Sequence, residues 1–82
     1  MKEKIYKFNQ NFAKNLKLER KARHLTQRQV AEKIGIKTQS YQAYENKVAM
    51  PNVENLLKIA LIFDLSIDEL FELIHLYLKY DP

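Results

Sequence analysis

Residues 26–45, TQRQVAEKIGIKTQSYQAYE, contain the only glycine of this 82-residue chain. Thr26 and Gln29 stand three positions apart, as in a capping box, where each side chain bonds the other residue's backbone N–H at the start of a helix. Gly35 stands where a left-handed backbone conformation closes a helix and turns the chain. The stretch therefore predicts two short helices joined by a tight turn, the later one spanning about residues 38–45.

Apolar spacing gives each of these two helices an inner face. Val30, Ala31 and Ile34 form a stripe before the turn, and Tyr41 and Tyr44 form one after it. With both tyrosines directed inward, the helical period turns four other positions outward together. These positions are Thr38, Gln39, Gln42 and Ala43.

Three further helices complete the prediction, over about residues 9–23, 53–63 and 67–80. Asn52 is a suitable N-cap for the helix that follows it, and Ser66 with Glu69 forms a second capping box. No alternating strand pattern and no linker interrupt the chain. The sequence predicts an all-α fold of five helices in one domain covering residues 1–82, with an extended C-terminal fifth helix.

Charge is unevenly distributed along the chain. Residues 1–47 carry 12 Lys/Arg and 4 Asp/Glu, a net charge of +8, whereas residues 48–82 carry 2 and 6, a net charge of −4. A cationic half indicates a polyanionic partner, nucleic acid first and an anionic membrane second. A solvated charged face without any partner is the alternative that these numbers leave open.

Other functional classes find no support in the sequence. The chain has no cysteine, which excludes disulfides and thiolate metal sites, and its two histidines lie far apart, at His24 and His75. It has no HExxH, Walker-type loop or nucleophile elbow. We therefore expect no catalytic activity, no metal and no cofactor. Neither a membrane span nor a secretory signal is visible, so a cytoplasmic location without membrane binding is expected.

Several motifs resemble the lambda-repressor-like (Cro/CI, Xre) family of DNA-binding proteins. They are LTQRQVAEKIGI, the glutamate of YEN, the proline that follows, and VENLLKIALIFDLSIDELF. The resemblance covers about residues 12–71 and implies a five-helix domain with a helix-turn-helix at about residues 26–45. In that family the third helix enters the major groove of DNA while the second crosses the backbone.

The resemblance assigns base reading to the four outward positions Thr38, Gln39, Gln42 and Ala43. Gln39 is the strongest candidate, because a glutamine amide can pair with N6 and N7 of adenine. Phosphate contacts position a protein on DNA without reading its sequence. For those the resemblance and the local charge indicate Gln27, Arg28, Lys37, Asn46 and Lys47. Ordinary solvated surface side chains are the alternative at each position.

The resemblance also implies a structural salt bridge between Arg20 and Glu45, which holds the third helix to the first. Three positions where the family commonly has glycine carry His24, Lys47 and Asp64. A left-handed conformation would cost each of them on the order of 1 kcal/mol, with Asp64 the most tolerant. Other turn geometry at His24 and Lys47 is the alternative.

The start of the third helix is open to a second interpretation. Lys37 stands at the position where the family usually has an N-cap residue such as serine. Thr38 is the alternative cap, and it would shift the start of the helix by one residue.

The C-terminal helix is more apolar than one packed face requires. Ile67, Leu70, Phe71, Ile74 and Leu78 form the stripe expected to pack on the domain. A second set of apolar side chains on the fourth and fifth helices then has no place on the packed face. Such a set indicates an interface, because contiguous exposed apolar surface usually marks one. This set consists of Leu61, Ile62, Leu73, Leu76, Tyr77 and Tyr80. We expect a homodimer through it; a helix folded back over its own domain is the alternative.

The sequence therefore predicts a regulator of transcription that binds double-stranded DNA, with repression the expected effect. As a homodimer it would place two recognition helices in successive major grooves and prefer a palindromic operator. The alternatives are an antitoxin or adaptor whose main partner is another protein, and a controller protein of a restriction–modification system.

Overall fold

A computed structural model describes the backbone of residues 2–71 and the side chains of residues 10–71. These residues form five helices and no strand: α1 Lys2–Ala22, α2 Gln27–Ile34, α3 Thr38–Glu45, α4 Val53–Phe63 and α5 Ile67–Phe71. The predicted all-α architecture is confirmed. The predicted continuation of the fifth helix to residue 80, with Ile74 and Leu78 on its packed stripe, lies outside the described residues.

Helix α1 is longer than the sequence analysis predicted. It begins at Lys2 and ends at Ala22, so the predicted start near residue 9 was wrong. The prediction was based on the apolar stripe of this helix, and that stripe begins only after the lysine-rich first turns. Residues 2–8 contain neither glycine nor proline to stop the helix.

The capping box of α2 forms as predicted. The Thr26 hydroxyl accepts from the Gln29 N–H at 3.0 Å, and the Gln29 side chain accepts from the Thr26 N–H at 2.8 Å. At the other end Gly35 has φ +89° and its N–H donates to the Ala31 carbonyl at 2.9 Å. Both ends of α2 are therefore fixed by local bonds, which sets where the chain turns toward α3.

Helix α3 begins at Thr38, and Lys37 occupies the N-cap position with an extended backbone. The alternative in which Thr38 caps the helix was wrong. A lysine side chain offers no hydrogen-bond acceptor, and no side-chain cap bond forms at this end. The predicted register of α3 is therefore retained.

The two later helices also start at the predicted caps. The Asn52 side chain accepts from the Asn55 N–H at 2.8 Å. Ser66 and Glu69 form the second capping box, with the Glu69 N–H donating to Ser66 at 3.1 Å and the Ser66 N–H to Glu69 at 3.0 Å.

His24, Lys47 and Asp64 all adopt the left-handed conformation, with φ of 57°, 66° and 53°. The alternative of other turn geometry at the first two positions was wrong. At these turns and at Gly35 the next residue's N–H bonds the carbonyl five positions earlier, as in the Schellman motif. The bonds join Leu25 to Arg20, Ile36 to Ala31, Val48 to Ala43 and Leu65 to Ala60, at 3.2, 3.0, 2.9 and 2.9 Å. One turn geometry thus closes four helices, and glycine remains at only one of them.

We predict that Gly35→Ala lowers the free energy of unfolding by on the order of 1 kcal/mol. A Cβ at Gly35 would meet no atom within 4 Å, so the cost arises from the positive φ alone. Lys47→Gly, the reverse change at a matched turn, should raise the stability. Urea denaturation of both variants measures the two effects, and a neutral Gly35→Ala would contradict the conformational argument.

The core lies where α1, α2 and α3 meet α4 and α5. Its fully buried members come from all five helices. The largest are Phe12, Leu16, Ile34, Tyr41, Ile59, Phe63 and Leu70. Ile67 and Phe71 pack against this core as predicted, and the Phe71 ring stacks on Phe12 with 5.0 Å between centroids. Within residues 2–71, every helix is too short or too polar to span a lipid bilayer.

Candidate nucleic-acid interface

Helix α3 packs its aromatic face inward, as its period predicted. Tyr41 is completely buried and Tyr44 nearly so, with their rings edge to face and 6.2 Å between centroids. Gln39 is exposed on the other side, whereas Thr38, Gln42 and Ala43 are each half-buried beside it. The predicted reading positions therefore share one side of α3 but differ in exposure. The Gln39 amide forms no side-chain hydrogen bond with any described residue.

A buried ion pair joins the end of α3 to α1. Arg20 Nε lies 2.7 Å from Glu45 Oε2, and Arg20 Nη2 lies 3.0 Å from Oε1. The two side chains are only 11% and 3% exposed. Arg20 also donates from Nη1 to the Leu25 carbonyl at 3.0 Å. The structure thus places this pair where the resemblance implied it, in a bidentate geometry that restricts both side chains.

The Glu45 carboxylate accepts two further hydrogen bonds. The Tyr41 hydroxyl donates to Oε2 at 2.5 Å and Gln27 Nε2 donates to Oε1 at 3.2 Å. Burial alone would raise the pKa of Glu45, but the bonds from Arg20, Tyr41 and Gln27 outweigh it and lower that pKa. Burial raises the pKa of Tyr41, and its bond to the carboxylate raises it further. Glu45 is therefore held as an anion and Tyr41 as a neutral donor.

The hydrogen bonds continue from this ion pair to the solvent-facing side of α3. Gln42 Nε2 donates to Gln27 Oε1 at 3.1 Å. Since the Glu45 carboxylate can only accept, Gln27 must turn its NH2 toward Glu45 and its oxygen toward Gln42. Gln42 then donates one N–H to Gln27, and its own side-chain carbonyl oxygen remains available as a hydrogen-bond acceptor. The buried charge thereby sets the orientation of an amide on the predicted reading face.

Sequence reasoning missed this chain of hydrogen bonds. Tyr41 and Glu45 are four residues apart on one helix, so their contact carried a local signal. The contact between Gln27 and Gln42 depends on the angle between α2 and α3, for which the sequence gives no local pattern. Gln27 was predicted to contact a DNA phosphate. In the structure its side chain is half-buried, and its amide NH2 and amide oxygen are both hydrogen-bonded within the protein.

The other predicted phosphate contacts lie on the surface. Lys37, Asn46 and Lys47 are exposed around α3. Arg28, at the start of α2, pairs with Glu32 at 3.1 Å. Both of those side chains are largely exposed, and such a surface pair contributes little, so Arg28 can exchange this partner for another anion.

The predicted dimer residues fall into three groups. Leu61 on α4 is 81% exposed, whereas Ile62 is half-buried against the core. Leu73, Leu76, Tyr77 and Tyr80 lie outside the described residues. The sequence analysis missed Val53 and Leu57, which are 74% and 51% exposed. Because they precede Leu61 at intervals of four residues, the three side chains form one apolar stripe along α4.

The structure thus contains two short helices joined by a glycine turn. A buried ion pair fixes the second helix, which presents polar side chains to solvent. This arrangement defines the helix-turn-helix class of domain. A helix-turn-helix family model matches residues 16–70, more than half of the chain. The chain belongs to this family, in its Cro/CI/Xre type, as the resemblance predicted.

Curated relatives carry the names of transcriptional regulators. The chain is 50% identical over 52 residues to the cryptic phage CTXphi transcriptional repressor RstR of Vibrio cholerae, covering 63% of this chain and 46% of that protein. It is 41% identical over 61 residues to the uncharacterized HTH-type transcriptional regulator YqaE of Bacillus subtilis, covering 74% and 53%. A second Bacillus subtilis regulator, YobD, is also uncharacterized; it is 40% identical over 57 residues, covering 70% and 51%.

The chain spans about half the length of the curated relatives it matches. No solved structure matches it significantly.

Proposed function

We propose that this chain is a sequence-specific regulator of transcription that binds double-stranded DNA, and that its effect is repression. The observation that carries the proposal is the exposed Gln39 on a helix whose far end is fixed by the buried Arg20–Glu45 pair. Base discrimination needs such a free amide on a rigid support, because a mobile helix would lose the geometry of a bidentate contact. Family membership and the repressor named among the relatives support the same function.

In the proposed complex α3 lies in the major groove and α2 crosses the DNA backbone. Gln39 contacts a base edge through both amide groups, and Gln42 offers its carbonyl oxygen to a base amino group. Thr38 and Ala43 contact neighbouring bases, Ala43 through its methyl group. The phosphate contacts come from Gln27, Arg28, Lys37, Asn46 and Lys47.

Selection of bound fragments from random duplex DNA, followed by sequencing, tests this function. We expect one sequence motif to be enriched in successive rounds. A fluorescent duplex that carries this motif should bind the protein far more tightly than a scrambled duplex does. Retention of no duplex even at low salt would refute DNA binding. Binding without enrichment of a motif would refute sequence specificity.

The proposed regulator acts as a homodimer through the apolar stripe of Val53, Leu57 and Leu61. A twofold contact brings the same patch of both copies together, so the apolar stripe of one copy would pack against the same stripe of its partner. Two recognition helices would then meet successive major grooves, about 34 Å apart, and the selected site would be palindromic.

We predict that sedimentation equilibrium at micromolar concentration gives the mass of a dimer. Leu61→Glu should shift the equilibrium to the monomer, because the dimer would bury two carboxylates facing each other. Leu18→Glu places the same charge on the exposed side of α1, where Leu18 is 42% exposed, and should leave the dimer intact. A wild-type protein that stays strictly monomeric would remove the dimer from the proposal.

A further inference from the structure

A groove of about 360 Å³ lies between α1 and the C-terminal end of α3. Its walls combine residues that are about thirty positions apart in the chain. They are Ala13, Lys14, Lys17, Glu45, Asn46 and Lys47. Two of the lysines come from α1, a helix to which neither the sequence analysis nor the proposed function gave a DNA contact.

The charge of this groove is positive and uncompensated. Lys14, Lys17 and Lys47 are exposed, and none of them forms an ion pair with the residues that the structure describes. Among the described residues that line the groove, Glu45 is the only carboxylate, and it is buried and already bonded to Arg20. Glu19, the only acid between residues 10 and 22, is buried and paired with Arg23 at 2.7 Å.

Lys14 and Lys17 stand three positions apart on α1, so their side chains leave the same side of the helix. Like charges at this spacing destabilise a helix. A bound anion relieves that repulsion, and the Asn46 amide on the opposite wall adds a hydrogen-bond donor. The groove is open to solvent, so a phosphate group of a larger molecule can reach its walls.

We propose that this groove holds a segment of the DNA backbone, with Lys14 and Lys17 contacting its phosphates. The inference rests on the proposed function and extends it to a second backbone contact, from α1. The major groove, about 12 Å wide, admits an α-helix such as α3 between its two phosphate backbones, because a helix with its side chains is about 10–12 Å in diameter. With α3 in the groove, its C-terminal end comes close to one phosphate wall, and Lys14 and Lys17 flank that end.

The salt dependence of DNA binding tests the proposal. Each phosphate contact adds about 0.9 to the slope of log affinity against log salt, so Lys14→Gln/Lys17→Gln should flatten the slope by about 1.8. Affinity at low salt should fall by about tenfold or more, equally for the selected and the scrambled duplex. A control, Lys58→Gln, removes a charge from α4, outside the proposed DNA interface, and its slope should stay close to that of the wild type. Thermal unfolding verifies that all variants are folded.

Ethylation of single phosphates provides a second measurement. At phosphates next to the groove, ethylation should weaken wild-type binding and leave the affinity of Lys14→Gln/Lys17→Gln unchanged. Equal slopes for the double variant and its control would overturn the groove contact while leaving DNA binding by α3 intact. A wild-type chain that binds no duplex would overturn both this inference and the proposed function.

Discussion

Replacement of Glu45 by alanine should lower the free energy of unfolding by about 3–5 kcal/mol, because the change strands the buried Arg20 charge without its partner. The loss also removes the acceptor of the Tyr41 hydroxyl and of the Gln27 amide. A domain of 82 residues is stable by about 4–12 kcal/mol in total. If the total lies at the lower end of this range, Glu45→Ala brings the protein close to unfolding at room temperature.

Urea denaturation at low temperature measures the effect. Glu45→Gln serves as the milder variant, since it keeps the shape of the side chain while it removes the charge and replaces one accepting oxygen with an NH2 donor. Arg20→Met/Glu45→Met should be more stable than Glu45→Ala, because no unpaired charge is left and both side chains fill the space. A loss below about 1 kcal/mol in Glu45→Ala would show that solvent replaces the partner of Arg20, and that the pair does not hold α3.

The lowered pKa of Glu45 makes the same ion pair sensitive to acid. Folded Glu45 binds a proton less readily than unfolded Glu45, so the unfolded state takes up more protons as the pH falls. The stability that Glu45 contributes is complete above about pH 4.3, the ordinary pKa of glutamate. It disappears as the pH drops through the lowered folded value. The difference in urea midpoint between wild type and Glu45→Gln should therefore shrink below about pH 4.

Gln39→Ala is expected to relax base preference at one position of the selected site, at a cost of about 1–3 kcal/mol for the preferred base. Gln39 is exposed and its amide is free of side-chain bonds within the described residues. Its removal should therefore change recognition without changing the fold. Repeating the duplex selection with the variant measures the preference, and thermal unfolding verifies that stability is retained.

Lys47→Ala provides the contrasting control, because a phosphate contact carries no sequence information. It should weaken binding to all duplexes alike and flatten the salt dependence by about one phosphate contact. If Gln39→Ala selected the same site as the wild type with the same discrimination, the assignment of the reading face of α3 would be wrong.

Local sequence patterns determined most of the fold. The capping boxes at Thr26 and Ser66, the N-cap Asn52 and the turn at Gly35 each depend on residues within five positions of one another. The helical period likewise placed Tyr41 inward and Gln39 outward before any tertiary contact was known. Such features follow from the sequence because their partners lie within the same turn or cap.

Apart from the Arg20–Glu45 pair, which the family resemblance implied, the contacts between distant residues were decided by tertiary structure. The bond between Gln27 and Gln42 and the groove between Lys14 and Lys47 exist only because the helices pack at particular angles. A residue's spacing fixes which face of its helix it occupies, whereas only the packing of the whole core fixes what that face meets.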